Sequence, residues 1–363
     1  MSLVEQVIDW LFQVQLQVSE QWSYLLPTGF TWWADQYAQT VEMVREEKGP
    51  DGESGYLLAV RTELLRELDL TDTALAEINA LPMRCASLAG PVYDAAARRL
   101  DLWSLIRVTD ENNDWIRYML AAAAVIQLAE SRVVAPVLAQ STGALPATSE
   151  HPESGTRTVP DQMAFTANVF AELGEAPCAW TEAEFREVVG KYMGGLRSPA
   201  VVGPDGITME FPFGEQTSLC RVISDQRHPL YGHGLLLLQS FPVKAVSESD
   251  GIKLALSLNA ADLTHRLSGY GFGSYAYADD MVHFTAFIPN ALHKQGLLAN
   301  LLFSCAARGQ SMEARFAEGQ WDPDAYSLDA AVLERRRQQR QATMPAVERP
   351  RGCPMSRANQ PGG

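Results

Sequence analysis

Residues 269–290, GYGFGSYAYADDMVHFTAFIPN, constrain the chain more than any other stretch. Aromatic and small residues alternate, Asp279 and Asp280 supply a turn, and Val282, Phe284, Ala286 and Ile288 fall on one face. That pattern predicts a β-hairpin, and a helical segment follows it directly. A fainter copy, SLAGPVYDAAARRLDLWSLIRV at residues 87–108, is also followed by a helical segment. A hairpin–helix unit that occurs twice points to a duplicated domain.

The elements around the two hairpins repeat in the same order. Val4, Val7, Ile8, Leu11, Val14 and Val18 recur at helical spacing within residues 3–24. GFTWWADQY, QTVEMVRE and GYLLAVRTEL then read as strands, although residues 34–47 also read as helical. A helix capped by Asp72 or Thr73 leads to the first hairpin, and Asn113 or Asp114 caps a helix over residues 115–139. After residue 178 the order restarts. Thr181 and Glu184 form a T-x-x-E box before an amphipathic helix. GITMEFPF, SLCRVIS and GLLLLQSFPV read as strands, Asp250 caps a helix, and the second hairpin and a helix over 297–316 complete the set. Gly29, Thr31, Gln39 and Thr40 match Gly206, Thr208, Gln216 and Thr217. Further on, Gly55, Leu57 and Leu58 match Gly234, Leu236 and Leu237, and Asn79 and Ala80 match Asn259 and Ala260. The matches are collinear, with an offset that grows slowly, as small loop insertions produce.

The expected fold is α+β: two tandem α-β-β-β-α-β-β-α domains, each an antiparallel sheet packed against helices. The expected boundaries are 1–140 and 179–320, with a linker carrying a helical piece at 141–178 and a basic, disordered tail at 321–363. The length of 363 residues suits two such domains. Net charge is −15, but residues 331–363 hold seven Arg against Glu334 and Glu348, which leaves −20 for residues 1–330. A body that acidic disfavours nucleic acid and anionic membrane, and favours basic partners. The N-terminus carries Glu5 and Asp9 without a basic cluster, unlike a signal peptide, and Gln127 interrupts the longest apolar run, 119–126, well short of a bilayer span. Five scattered cysteines without a CxxC argue for a reducing cytoplasm.

Candidates for chemistry are few. Cys220, Asp225, His228 and His233 bring metal-binding residue types close together, but their spacing matches no zinc pattern, and Pro229 with the flanking glycines marks a strand-connecting loop. Asp279 and Asp280 fit turn geometry better than an acid–base pair, which needs burial to separate its pKa values. Gly269, Gly271 and Gly273 lack phosphate-loop spacing, and no G-x-S-x-G occurs. The expectation is no catalytic residue, no cofactor and no metal.

The remaining signal is apolar. Trp32 and Trp33 in the first copy, with Tyr37, lie where Met209, Phe211 and Phe213 lie in the second. Their first reading is a core face. Their second is a partner-binding patch, because Pro212 cannot donate to a ladder and marks an edge strand open to strand addition. The arginines at 335–340 read as a solvated helix end more than as a nucleic-acid contact.

The element order, the GYLLAVRTEL and GLLLLQSFPV strands and the two hairpin–helix units resemble the type III secretion chaperone-like fold shared with YbjN-like proteins. The resemblance covers residues 3–140 and 179–318. Family members are single domains that dimerise and hold an extended client segment against apolar patches, and YbjN-like relatives are assigned protein-interaction roles. The resemblance therefore implies a non-enzymatic chaperone or adaptor for a protein or peptide client, built as a monomer that acts as a pseudo-dimer. The alternative is a regulator that senses a small molecule or metal through the inter-domain region or the loop from Cys220 to His233.

Overall fold

The computed structural model describes residues 2–48, 54–173, 175–195, 200–264, 271–317 and 326–328. The first half comprises α1 (Leu3–Asp9), β1 (Ser23–Leu26), β2 (Gly29–Trp33), β3 (Ala38–Lys48), β4 (Ser54–Arg66), α2 (Asp72–Arg84), β5 (Gly90–Asp94), β6 (Arg99–Val108) and α3 (Asn113–Thr142). Next come β7 (Leu145–Pro146), α4 (Ala167–Leu173) and α5 (Glu182–Tyr192). The second half continues with β8 (Val201–Gly203), β9 (Gly206–Phe213), β10 (Gln216–His228), β11 (Gly232–Phe241) and β12 (Val243–Ala245). It ends with α6 (Glu248–Thr264), β13 (Ser274–Ala278), β14 (Met281–Pro289), α7 (Leu297–Ala317) and β15 (Tyr326–Leu328).

The two main sheets are antiparallel and share one strand order. The first runs β1-β2-β3-β4-β6-β5, and the second β8-β9-β10-β11-β14-β13. This is the expected α+β tandem, with one short strand, β1 or β8, added in front of each set of three. Residues 38–48 are strand, so the helical reading of 34–47 is not adopted. Gly29 and Gly206 open equivalent hairpins for one steric reason. A Cβ there would lie 2.1 Å from the Val41 carbonyl oxygen or 1.9 Å from that of Val222. Several caps shift by a few residues. Thr71 caps α2, Asn112 precedes α3, and Ser247 accepts from the Asp250 amide at the start of α6. The Thr181 cap of α5 is where the box places it.

α3 lies across the first sheet, and Gln127 sits at the centre of its buried face. Gln127 Nε2 donates to the Ser104 hydroxyl at 2.8 Å and to the Val60 carbonyl, while its carbonyl accepts from Thr62 Oγ1 at 2.8 Å. Thr62 in turn accepts from Gln39, which also reaches the Ala124 carbonyl of α3. The second sheet carries a counterpart, in which Gln239 Nε2 donates to Ser218 Oγ and to the Cys305 carbonyl of α7. By length and composition α3 is the one helix among the described residues that meets a membrane-span test, but 67% of that stretch is buried inside the protein.

The halves meet through their inner edge strands. β13 pairs with β14 on one side only, and the alternation of an antiparallel ladder turns the backbone of Tyr275 and Tyr277 to the open side. Side chains replace the missing strand there. Asn259 of α6 accepts from the Tyr275 amide at 2.8 Å and donates to its carbonyl, and Asn79 of α2 does the same for Tyr277 with both distances 2.8 Å. These are the two asparagines paired by the internal repeat. The clasp is reciprocal elsewhere too. Leu105 of β6 exchanges both backbone hydrogen bonds with Gly271, and Phe287 of β14 donates to the Ser87 carbonyl. The end of α2 lies on the back of the second sheet, where Thr285 donates to the Pro82 carbonyl. The end of α6 lies on the back of the first, where Leu263 packs on Leu57, Ala59 and Leu105.

The stretch expected as a linker with a helical piece follows the first sheet closely. β7 pairs with β4, Trp33 Nε1 donates to Ser149, the Asp161 amide donates to the Ala34 carbonyl, and α4 is the helical piece. Of the expected tail, β15 pairs with β12; residues 329–363, including the arginine run, lie outside the described residues.

Replacing Asn259 with Ala leaves a buried amide and carbonyl of Tyr275 without partners, at a cost of about 1–3 kcal/mol per group left unsatisfied. Urea denaturation is expected to show Asn259→Ala destabilised by at least that amount, and half-buried Asn79→Ala by less. Equal stability of wild type and both variants would show that water replaces the amides without loss.

Candidate functional site

The five sequence-derived partner residues are all interior. Trp32, Met209, Phe211 and Phe213 are at most 2% exposed and Trp33 is 7% exposed. The Trp32 indole donates to Gln39 Oε1 at 3.0 Å and so belongs to the polar chain under α3. Pro212 does lie on a stretch of β9 that β8 leaves unpaired, because β8 spans only Gly206, Ile207 and Thr208. Yet α7 passes over this end of the sheet, with Gly309 close to the Pro212 carbonyl.

The metal-type residues do not converge. The Cys220 thiol is buried and pushed well up by its hydrogen bond to Cys305 and by burial. His228 stacks on Tyr231 with ring centroids 4.7 Å apart, and its Nδ1 accepts from the Leu230 amide. Burial pushes its pKa down to about 4, so the ring is a neutral packing element at physiological pH. Among the described residues no group of three metal-ligating side chains occurs; the Asp225 side chain lies outside the described set. Asp279 and Asp280 form the hairpin turn at φ 51° and 58°, the left-handed pair that a two-residue turn of this hand demands.

Two concave features lie at the outer sheet edge and at the seam between the halves. The first lies at the outer edge of the first sheet. β1 pairs only with β2, which turns the backbone of Ser23 and Leu25 outward by the alternation of the ladder. The Ser23 carbonyl is engaged by His151 Nε2 at 3.2 Å. Tyr24 and Leu25 are 58% and 70% exposed. Beside them a groove of about 600 Å³ is lined by Phe12, Leu26, Pro27 and Met43, and its charged lining residues, Glu5, Asp9 and Glu20, are all acidic.

The second is a smaller cavity, about 170 Å³, between the halves. Its walls are almost wholly apolar and include Leu81, Leu102 and Val134 from the first half and Leu230 from the second. Glu130 of α3 reaches it from a buried position. Burial pushes the Glu130 pKa up to about 8 against the opposing hydrogen bonds from Ser87 and Tyr231, so the group is mainly a neutral acid at pH 7. The Tyr231 hydroxyl, with one proton to donate, also has the Ile126 carbonyl as an acceptor at 3.3 Å. Cys85, on the same wall, has its thiol pushed up by burial and by Glu130, which makes it a poor nucleophile.

No family model, curated protein or solved structure matches the chain.

Glu130 also leaves a pH signature. Its folded pKa is raised, so its contribution is fully present below the unfolded value near 4.5 and is lost as pH rises towards about 8. Glu130→Gln removes that loss. Denaturation from pH 5 to 8.5 is expected to show the variant gaining on wild type steadily across the window, and a difference independent of pH would show that the acid is solvated.

Proposed function

We propose that the protein is a non-enzymatic binding module that holds an extended polypeptide along β1. One observation carries this reading: β1 is a short outer edge strand with two exposed apolar side chains, beside an apolar groove with an acidic rim. Strand addition uses main-chain hydrogen bonds for affinity and alternate side chains for specificity. Leu25 supplies the outward amide and carbonyl, the groove receives apolar side chains, and Glu5, Asp9 and Glu20 select basic neighbours. The client is thus a segment that alternates apolar and basic residues.

The inner edges are clasped against each other, so a single chain acts as its own dimer and presents this outer edge. The interior thiols of Cys220 and Cys305, hydrogen-bonded rather than joined, fit a reducing cytoplasm. Among the described residues the groove lining pairs its carboxylates with no His, Lys or Cys, which supports binding rather than catalysis.

The test uses a fluorescent decapeptide of alternating Val and Lys. Wild type is expected to bind it with an affinity that falls on raising salt, since the rim attraction is screened over about 8 Å at physiological ionic strength. Leu25→Pro removes the outward amide without touching the β1–β2 ladder, a place where an edge proline is tolerated. It is expected to weaken binding about tenfold, the worth of one well-placed hydrogen bond with its packing, at a nearly unchanged melting temperature. Unchanged binding by Leu25→Pro, or no binding by wild type, would contradict the proposal.

A further inference from the structure

We propose that the cavity between the two halves is a binding site for a small, uncharged aromatic molecule of about phenol size, its ring against the apolar walls and its single hydroxyl on the Glu130 carboxyl. This site is separate from the β1 groove, and neither reading depends on the other.

Size sets the class. The cavity measures about 170 Å³, and an apolar cavity near 150 Å³ stays dry and holds benzene. A single aromatic ring fills that volume. Lining sets the polarity. Leu81, Leu102 and Val134 face Leu230 across the space, and Glu130 is the one ionisable carboxyl on the wall. Ser87 and Tyr231 bond to that carboxyl, but a carboxyl group has lone pairs beyond those two partners. A hydroxyl brought in by a ligand satisfies one of them in a medium where hydrogen bonds are strong.

Two costs coincide here. Protein interiors are close-packed, so a void of this size forfeits contacts. An acid in an apolar wall carries a desolvation penalty that Leu or Met at the same position avoids. Costs of this kind collect where a site does something other than hold the fold together. Val133 of α3 both lines the cavity and is 50% exposed. Charged ligands are disfavoured in both signs. A carboxylate meets an acid in a dry cavity, and an amine must first ionise Glu130 and lose its own hydration.

The experiment is titration of the whole chain with phenol, toluene, benzoate and benzylamine, followed by calorimetry and by chemical-shift changes of the cavity methyl groups. Phenol is expected to saturate, toluene to bind about tenfold more weakly for want of one buried hydrogen bond, and the two ions not to bind. Val134→Phe fills the space and is expected to abolish phenol binding. Glu130→Leu is expected to bring phenol and toluene to within about threefold of each other, and Glu130→Gln, which keeps a hydrogen-bonding group, to retain the phenol preference. Thermal melts establish that each variant is folded, and if Glu130→Leu is not, Val134→Phe together with the phenol-to-toluene ratio of wild type decides. Four results overturn the proposal: no saturable response to phenol, equal affinity for phenol and toluene in wild type, phenol binding unaffected by Val134→Phe, or benzylamine binding more tightly than phenol.

Discussion

The structure depends on four hydrogen bonds that two asparagine side chains make with the open side of β13, two donated and two accepted. An exposed edge strand templates pairing with another chain, and a fold whose hairpin ends each sheet has that liability twice. Here Asn259 and Asn79 act as the missing neighbour of β13, one from each half. Because Asn79 belongs to the first half, closing the edge also fixes how the halves sit. Gly90 of β5 then comes so close to Gly273 and Ser274 that a Cβ would clash with them. The remaining contacts, Leu105 with Gly271, Phe287 with Ser87 and Thr285 with Pro82, follow from that placement.

A second constraint is the chain of polar side chains between the first sheet and α3, from Trp32 through Gln39, Thr62 and Gln127 to Ser104 and the Leu88 carbonyl. A buried network is tolerable only when its members are satisfied, and this one fixes the register of the helix on the strands. It also accounts for the fate of the tryptophan candidates. Trp32 is large, but it serves the sheet from inside rather than a partner from outside.

The fold was legible because the same element order occurs twice. The hairpins, the glycine-led strands and the collinear matches all point to one order, and Gly29 with Gly206, and Asn79 with Asn259, turn out to share structural roles. The short strands β1 and β8 were not legible, since four and three residues carry too little periodicity. The candidate sites were harder. Alternating apolar residues mark a face without saying whether a helix covers it, and α7 covers part of β9. Tyr24 ends the stretch that reads as an opening helix, and Leu25 falls between that stretch and the first strand. Gln127 and Glu130 carry a readable signal, two polar residues three apart in an apolar helical run, but in the sequence alone Gln127 only interrupts that run. Its position on the buried face decides its role, and burial is a property of the assembled sheet.

Hydrogen exchange measured amide by amide tests the central claim most directly, namely that the inner edge is clasped while the outer edge is open. Both sets of amides belong to edge strands, so their position in the sheets alone predicts similar exchange. With the clasp in place, the Tyr275 and Tyr277 amides are expected to exchange only through large-scale opening, as core amides do, and the outward Leu25 amide near the rate of a solvated one. If Tyr275 and Tyr277 exchange as fast as Leu25, the clasp does not hold in solution and the single-chain dimer is wrong.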